Sequence, residues 1–397
     1  SGGWGGGRVV GTLGLSFNNF SMKNIFKPSA WSPLPTGDGQ KFSIRAQTNG
    51  IFYQSYNLSF TEPWLGGKKP NSLSVSAFYS MFNSTGSKKY VNDAEGNKIL
   101  NVNRSTMKII GGSVGFGKRL KKPDDFFSLY SEASYNYYEL QNYSFFILAN
   151  GYANDFNCKI NITRNSIDAP IFPKNGSNFS LLGQFTPPYS LFNGKDYSTA
   201  TIAEKFKFIE YQKYKFTAEW YTQLTNKKAG EGKEARNLVL RTKIGYGILG
   251  MYNKTVGVSP FERYYMGGSG LSGFQNFVAR EIIALRGYTD NSLSSTSGDP
   301  LCARYTMELR YPISLNPQAT IFILGFAEAG NTWARYKDFN PFQVKRSAGF
   351  GLRVFLPMFG LLGLDYGWGF DNIPGNPGSG NGKGQFHFTL GAQLGEL

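Results

Sequence analysis

The sequence predicts an all-β fold, a transmembrane antiparallel β-barrel of about 16 strands, and three observations point to it. The first is a two-residue beat of polar and apolar side chains. Residues 304–311 read R-Y-T-M-E-L-R-Y. The same alternation runs through Leu73, Val75, Ala77 and Tyr79, through Leu238, Leu240, Thr242, Ile244 and Tyr246, and through Phe386, Phe388, Leu390, Ala392 and Leu394. Successive side chains of a strand point to opposite faces, so each segment has one apolar and one polar face. The second observation is composition. Of 397 residues, 41% are apolar, 16% are aromatic and 17% are charged, the last below the quarter or so of soluble domains. The polar partners Arg304, Glu308 and Arg310, like Arg241 and Lys243, then face a wet lumen while the apolar set faces lipid. The third is that no run of about 18 apolar residues exists, so no helical span is expected.

The elements follow in order. Val9–Phe20 is a strand, and a stretch with Pro28, Trp31, Pro33 and Pro35 interrupts the beat after it. Lys41–Asn49 and Phe52–Glu62 are joined at Asn49-Gly50, a pair suited to a tight hairpin. Ser72–Phe82, Ser105–Lys118 and Phe127–Gln141 come next, then Phe156–Arg164, Ser177–Pro187, Glu204–Leu224 and Asn237–Tyr252. The last group is Ala303–Tyr311, Ala319–Glu328, Arg346–Phe355, Leu362–Phe370 and Gln385–Leu394. With Ser1–Gly6 as the end of a further strand the count is even, as bacterial outer-membrane barrels require. Connections near Gly66–Pro70, Leu120–Asp125, Pro312–Pro317 and Pro357–Gly360 are short, and those near Asn83–Arg104, Thr255–Cys302 and Asp371–Gly384 are long. Short turns belong to the periplasmic side and long loops to the outside. Closure needs every strand, so residues 1–397 form one domain, with Thr255–Cys302 its long loop. Trp64, Trp220, Trp333 and Trp368 are candidates for the aromatic girdles. No leader peptide opens the chain and Ser1–Trp4 begins inside a strand pattern, so a trimmed chain with more protein upstream is expected.

Cys158 and Cys302 fall in strands placed several apart, which disfavours a disulfide. The single histidine, His387, reads as an ordinary lumen-facing side chain; a Ser-His-Asp hydrolase would have to use it, and a zinc site lacks ligands. The net charge of +16 is spread over Lys68 and Lys69, over Lys118, Arg119, Lys121 and Lys122, and over Lys227, Lys228 and Lys233, all in turns. That dispersal excludes a nucleic-acid partner and leaves solvated turns or contact with lipid phosphates.

The long loop carries the most specific pattern. Its Gly268, Gly270 and Gly273 form a G-x-G-x-x-G, but no βαβ unit surrounds it, so the match is a decoy. Residues 283–290 read I-A-L-R-G-Y-T-D, preceded by P-F-E-R-Y-Y-M-G-G at 260–268. Upstream, residues 162–176 read I-T-R-N-S-I-D-A-P-I-F-P-K-N-G; downstream come Ala327–Trp333, Ser347–Gly349 and Phe386–Gly391. In that order these segments resemble the BamA family of outer-membrane assembly factors across nearly the whole chain.

The resemblance implies that the loop folds back into the lumen and that Arg286, followed by Gly287 and Tyr288, pairs with acidic residues of neighbouring strands. Glu308, on the polar face of its strand, and Glu328 are the expected partners, because a buried guanidinium needs carboxylates. Alternatively, Glu308 only balances Arg304 and Arg310 beside it. It further implies the central subunit of the outer-membrane β-barrel assembly machinery, which folds and inserts outer-membrane proteins with no enzymatic step, cofactor or metal. Nascent strands cannot enter lipid with unpaired backbone, and an exposed strand edge can template them. That edge is expected at a lateral seam between Gly2, Gly3, Trp4, Gly5, Gly6 and Gly7 on one side and Phe386, Phe388, Leu390 and Gly391 on the other. Glycines there weaken side-chain packing.

The implied setting is the outer membrane of a Gram-negative bacterium. The implied partners are the lipid bilayer and lipopolysaccharide, nascent outer-membrane proteins and the lipoproteins of the machinery, with POTRA repeats upstream. One departure is the final G-E-L, where the family ends on an aromatic residue. A secretion transporter or sibling assembly factor of the superfamily, and a passive porin, remain the alternatives.

Overall fold

A computed structural model describes residues 2–5, 8–31, 33–67, 71–92, 97–144, 146–226, 236–269, 279–357, 360–376 and 378–390. The strands are β1 (Gly2–Gly5), β2 (Arg8–Phe20), β3 (Gln40–Asn49), β4 (Tyr53–Glu62), β5 (Asn71–Asn83), β6 (Tyr90–Asn92), β7 (Lys98–Leu100), β8 (Thr106–Arg119), β9 (Phe127–Gln141) and β10 (Gly151–Asn165). They continue as β11 (Gly176–Phe185), β12 (Gln212–Gln223), β13 (Val239–Gly250), β14 (Arg263–Met266), β15 (Arg280–Ile283), β16 (Leu301–Asn316), β17 (Ala319–Trp333), β18 (Lys345–Leu356), β19 (Gly360–Gly369) and β20 (Gly384–Leu390). Among the described residues, 16 of them form one sheet in the order β1-β2-β3-β4-β5-β8-β9-β10-β11-β12-β13-β16-β17-β18-β19-β20, every neighbour antiparallel. Each expected segment overlaps one strand of this sheet.

Alternation decides which face each residue joins. On the outer face Leu13, Ile44, Leu58, Val114, Ile160, Leu181, Met307, Phe350 and Phe386 are exposed. On the inner face, Ser16, Ser43, Ser59, Ser76, Ser113 and Ser134 stand opposite one another through five successive ladders. Hydroxyls line this part of the wall, and pairs such as Ser76 and Ser113 hydrogen-bond at 2.9 Å. The inner face turns apolar around Phe322 and Leu324, which cluster with Phe172 and Tyr221, and again where the loop between β13 and β16 packs against it. There Met107, Ile109, Tyr138, Leu140 and Leu249 join Phe261, Tyr264, Met266, Ile283, Leu285 and Tyr288 in the main hydrophobic core.

The sheet curls around that loop. Phe261 stacks on Tyr138 of β9 with ring centroids 4.3 Å apart, and Gly287 donates to His387 of β20. In a flat sheet those two strands, nine steps apart in the order, would be separated by about 43 Å at about 4.8 Å per step.

Several expectations need correction. Glu204–Leu224 is not one strand: a capping box of Thr201 and Glu204 starts a short helix, α2 (Ile202–Lys205), after α1 (Tyr189–Phe192), and β12 begins at Gln212. The side-chain oxygen of a threonine N-cap satisfies helical N–H groups that a strand would leave to a neighbour. Pro312 does not end a strand; β16 runs to Asn316 with a bulge at Pro312/Ser314, where the missing N–H is tolerated. The long loop spans residues 251–300, because Leu301 and Cys302 already pair in β16. Trp333 is buried edge-to-face against Phe339, whereas Trp64 and Trp220 are exposed. Both cysteines are free.

Candidate functional site

The site is the junction between the tip of the inward loop and the inner face of β16 to β20. Local structure holds the tip rigid. β14 and β15 pair in parallel, and the ladder is prolonged by bonds from Gly267 N–H to the Ile283 carbonyl (3.0 Å) and from Leu285 N–H to the Gly268 carbonyl (3.1 Å). Gly267 and Gly268 turn away at φ +129° and +73°, in the region that favours glycine. Gly268 belongs to the G-x-G-x-x-G; Gly270 and Gly273 lie outside the described residues, as do Lys68, Lys69, Lys227, Lys228 and Lys233.

The structure brings Arg286 against both expected carboxylates and a third. One terminal nitrogen, Nη2, donates to Glu308 Oε1 and Glu328 Oε1 at 2.7 Å each, and Nη1 reaches Asp365 Oδ1 at 3.3 Å. The backbone N–H of Arg286 donates to the other oxygen of Glu328 at 2.8 Å, and the guanidinium lies 3.7 Å over the Phe326 ring. Arg286 is fully buried. Burial alone would lower its proton affinity, but Glu328, Glu308 and Asp365 outweigh this and hold it above the ordinary arginine value.

The carboxylates are shared with arginines of the wall. Glu308 binds Arg310 and Arg241, Glu328 binds Arg304, and Asp365 binds Arg353. Glu308 therefore does balance Arg310, and holds Arg286 as well, while Arg304 turns to Glu328. Sequence reasoning missed Asp365, Arg353 and the glycines beside them. Their signal is the beat of β19, where Asp365, Gly367 and Gly369 share the inner face.

The rest of the tip is tied further round the sheet. Gly287 N–H donates to His387 Nε2 at 2.9 Å, so that nitrogen is the unprotonated one and the lone histidine links the loop to β20. The Tyr288 hydroxyl donates to the Arg346 carbonyl at 2.7 Å, and burial pushes it up to about 12. Thr289 N–H donates to Ser379 Oγ at 2.9 Å.

A second anchor, absent from the sequence reading, sits at the base of the loop. The buried Lys213 of β12 binds Glu262 (2.7 Å) and Glu281 (2.6 Å), and Lys215 also pairs with Glu281. Burial would raise the Glu281 carboxyl, but the two ammonium groups outweigh it and hold it at about 2. Its folded value lies below the ordinary 4.5, so its stabilisation is complete above that pH and is lost as pH falls towards 2. At neutral pH, Lys213→Met is expected to weaken loop docking by about 2 kcal/mol, because it takes the ammonium from Glu262 and leaves Glu281 with Lys215 alone. Faster protease cleavage within 251–300 measures it; an unchanged cleavage rate would refute the anchor.

The expected seam residues divide. β1 and β20 are the two ends of the strand order, and β20 pairs with β19 from Trp368–Gly384 to Leu362–Leu390. Phe386 and Phe388 point outward and are exposed. Gly2, Gly3, Trp4 and Gly5 pair with β2, while Gly6, Gly7 and Gly391 lie outside the described residues.

Comparison with known proteins places this architecture. The Omp85 superfamily domain matches residues 36–394. A comparison with curated proteins gave no match. Among solved structures, BamA from Haemophilus ducreyi lacking POTRA domains 1-3 is similar at 20% identity and TM-score 0.63, over 98% of this chain and 67% of that one. CdiB from Escherichia coli matches at 12% identity and TM-score 0.54 over 96% of this chain and 58% of its own. CdiB from Acinetobacter baumannii matches at 10% identity and TM-score 0.50 over 96% and 56%. The chain thus spans little more than half of the CdiB chains, and at these identities the likeness is one of fold.

Proposed function

The chain belongs to the Omp85 superfamily of outer-membrane β-barrels, and from that premise we propose that it folds and inserts other outer-membrane proteins. In this reading it is the BamA-type central subunit of an assembly machinery in a Gram-negative outer membrane. POTRA repeats precede the barrel, and nascent barrel strands, lipopolysaccharide and lipoproteins are its partners. The observation that carries the reading is the tip of the inward loop. Arg286, Gly287 and Tyr288 are tied to β16, β17, β18, β19 and β20, and packed side chains surround the loop in the interior. A wall built to hold a plug suits work at its strand edges better than passive flow through its centre. The edges on offer are β1 and β20, the ends of the sheet. β1 is three-quarters glycine, so few side chains brace it, and the backbone N–H and C=O groups of an edge can template an incoming strand.

The test is site-specific crosslinking from single cysteines at 385–390 to a radiolabelled barrel substrate arrested during assembly. Products at alternate positions in one register are expected, because a templated strand presents every second side chain to each face. Crosslinks with no register, or large steady conductance in planar bilayers, would overturn the reading in favour of a transporter or a porin.

A further inference from the structure

The Pro- and Trp-containing stretch between β2 and β3 is not used by this reading. Residues 21–39 form the longest connection at their end of the sheet, where the others run from two residues at 317–318 and three at 357–359 to those at 63–70, 120–126, 166–175 and 224–238. A long connection on the short-turn side needs a reason.

The segment is a braced strap built on two 3-10 turns, Met22–Asn24 and Pro28–Ala30. Ser21 is fully buried; its N–H donates to the Pro35 carbonyl (2.8 Å) and its hydroxyl to Asp38 (2.6 Å). Met22 N–H donates to Gln40 Oε1 (2.7 Å), Gln40 in turn to Glu62 (2.7 Å), and the Asn24 amide to the Thr36 carbonyl (2.9 Å). This bracing presents apolar side chains outward: Phe26 is 93% exposed, Met22 48% and Trp31 47%. Lys23 and Lys27 stand beside them with no acidic partner among the described residues.

The strap is rooted on the lipid-facing side. Phe20, its first support, stacks on Phe42 at 5.1 Å and meets Phe60 edge-on at 6.2 Å. Phe42 and Phe60 share the outer face with Ile44 and Leu58, which are exposed. The apolar belt of the wall therefore continues into the strap. Aromatic residues with flanking lysines, held at the end of membrane strands, match the boundary between acyl chains and phosphates.

We propose that residues 21–39 are a membrane-interface anchor that binds anionic glycerophospholipid in the periplasmic leaflet. Phe26, Met22 and Trp31 enter the acyl boundary, and Lys23 and Lys27 hold the phosphates. The anchor fixes the rim at β2 and β3, and it stands whether or not the barrel is an assembly factor.

The test uses the whole chain in phosphatidylethanolamine nanodiscs with and without phosphatidylglycerol. Phe26→Cys in a Cys158→Ser background carries a bimane label. The label is expected to be quenched by lipid-borne nitroxide and shielded from aqueous iodide. Lys23→Gln with Lys27→Gln is expected to lower the preference for phosphatidylglycerol among bound lipids about thirty-fold, from the roughly additive contribution of two interfacial lysines. Iodide quenching as strong as at a solvated turn, or an unchanged lipid preference, would overturn it. Shielding from both quenchers would assign the surface to a protein contact and equally overturn it.

Discussion

Arg286→Ala is expected to free the loop and leave the wall standing. The charge network contains five arginines (Arg241, Arg286, Arg304, Arg310, Arg353) and four carboxylates (Glu219, Glu308, Glu328, Asp365). Four of the arginines belong to strands and one to the loop. Without Arg286 each carboxylate keeps a strand arginine: Glu219 and Glu308 keep Arg241, Glu328 keeps Arg304, and Asp365 keeps Arg353. The four remaining arginines balance the four carboxylates, so no wall carboxylate is left bare. The loss falls on the loop, which gives up all of its guanidinium bonds. A cost of about 3 kcal/mol in docking is expected from the loss of its buried charge-assisted hydrogen bonds, or about 150-fold in the undocked fraction. Protease cleavage within 251–300 should accelerate accordingly, while the resistance of the barrel to denaturant stays close to that of the parent. Barrel unfolding in step with loop cleavage would show that the loop holds the wall together, contrary to this account.

Glu308→Arg is the sharper form of the same test. It strips a partner from Arg241, Arg286 and Arg310 at once and leaves six cations facing three anions. Adding Arg286→Glu restores five against four, with the new pair reversed in sense. Partial recovery of loop protection in the double variant is expected, because coupling in a shared network is not additive. No recovery would mean that the two positions do not act on one another.

The wall was legible in the sequence because a period of two is a local signal. Each strand states its own two faces, and the Asn49-Gly50 turn or the Gly-rich start of β1 needs no distant partner to be read. Glu204 shows where this fails. Its Phe206 and Phe208 fit a strand beat, but the side chain of Thr201 captures the backbone N–H of Glu204 and starts a helix. Arg286, Glu308 and Glu328 came through the order of motifs, since no spacing rule joins residues 22 and 42 positions apart. Asp365 and Lys213 were invisible for the same reason: each looks like an ordinary polar residue facing a wet lumen. Only the fold reveals that the loop removes the water from around them.

Gly287→Ala is expected to expel the tip with an effect as large as that of Arg286→Ala, by sterics alone. Gly287 has φ +87°, and a Cβ there would lie 2.7 Å from the Trp368 carbonyl carbon and 2.8 Å from the Gly369 nitrogen. The opposing surface is equally bare. A Cβ on Gly369 would lie 2.6 Å from the Gly287 oxygen, and one on Gly367 would lie 3.0 Å from the Gly287 nitrogen. Backbone therefore rests on backbone, and that approach lets the Gly287 N–H reach His387 on the next strand. The left-handed φ costs alanine about 1–2 kcal/mol and the overlap about 1–3 more, enough to undock a tip at least about thirty-fold more often. Gly369→Val separates the two causes. It carries no left-handed strain, so its effect reports the overlap alone, and loop cleavage should rise nearly as far as with Gly287→Ala. Gly325→Ala on the outer face of β17, where nothing lies within 4 Å of the added carbon, should change neither loop nor wall. If Gly369→Val left the loop protected, the glycines of β19 would be incidental and the tip would be held by Arg286 alone. If it released the loop with all five arginines in place, charge and close approach would each be necessary for a plugged lumen and neither would suffice.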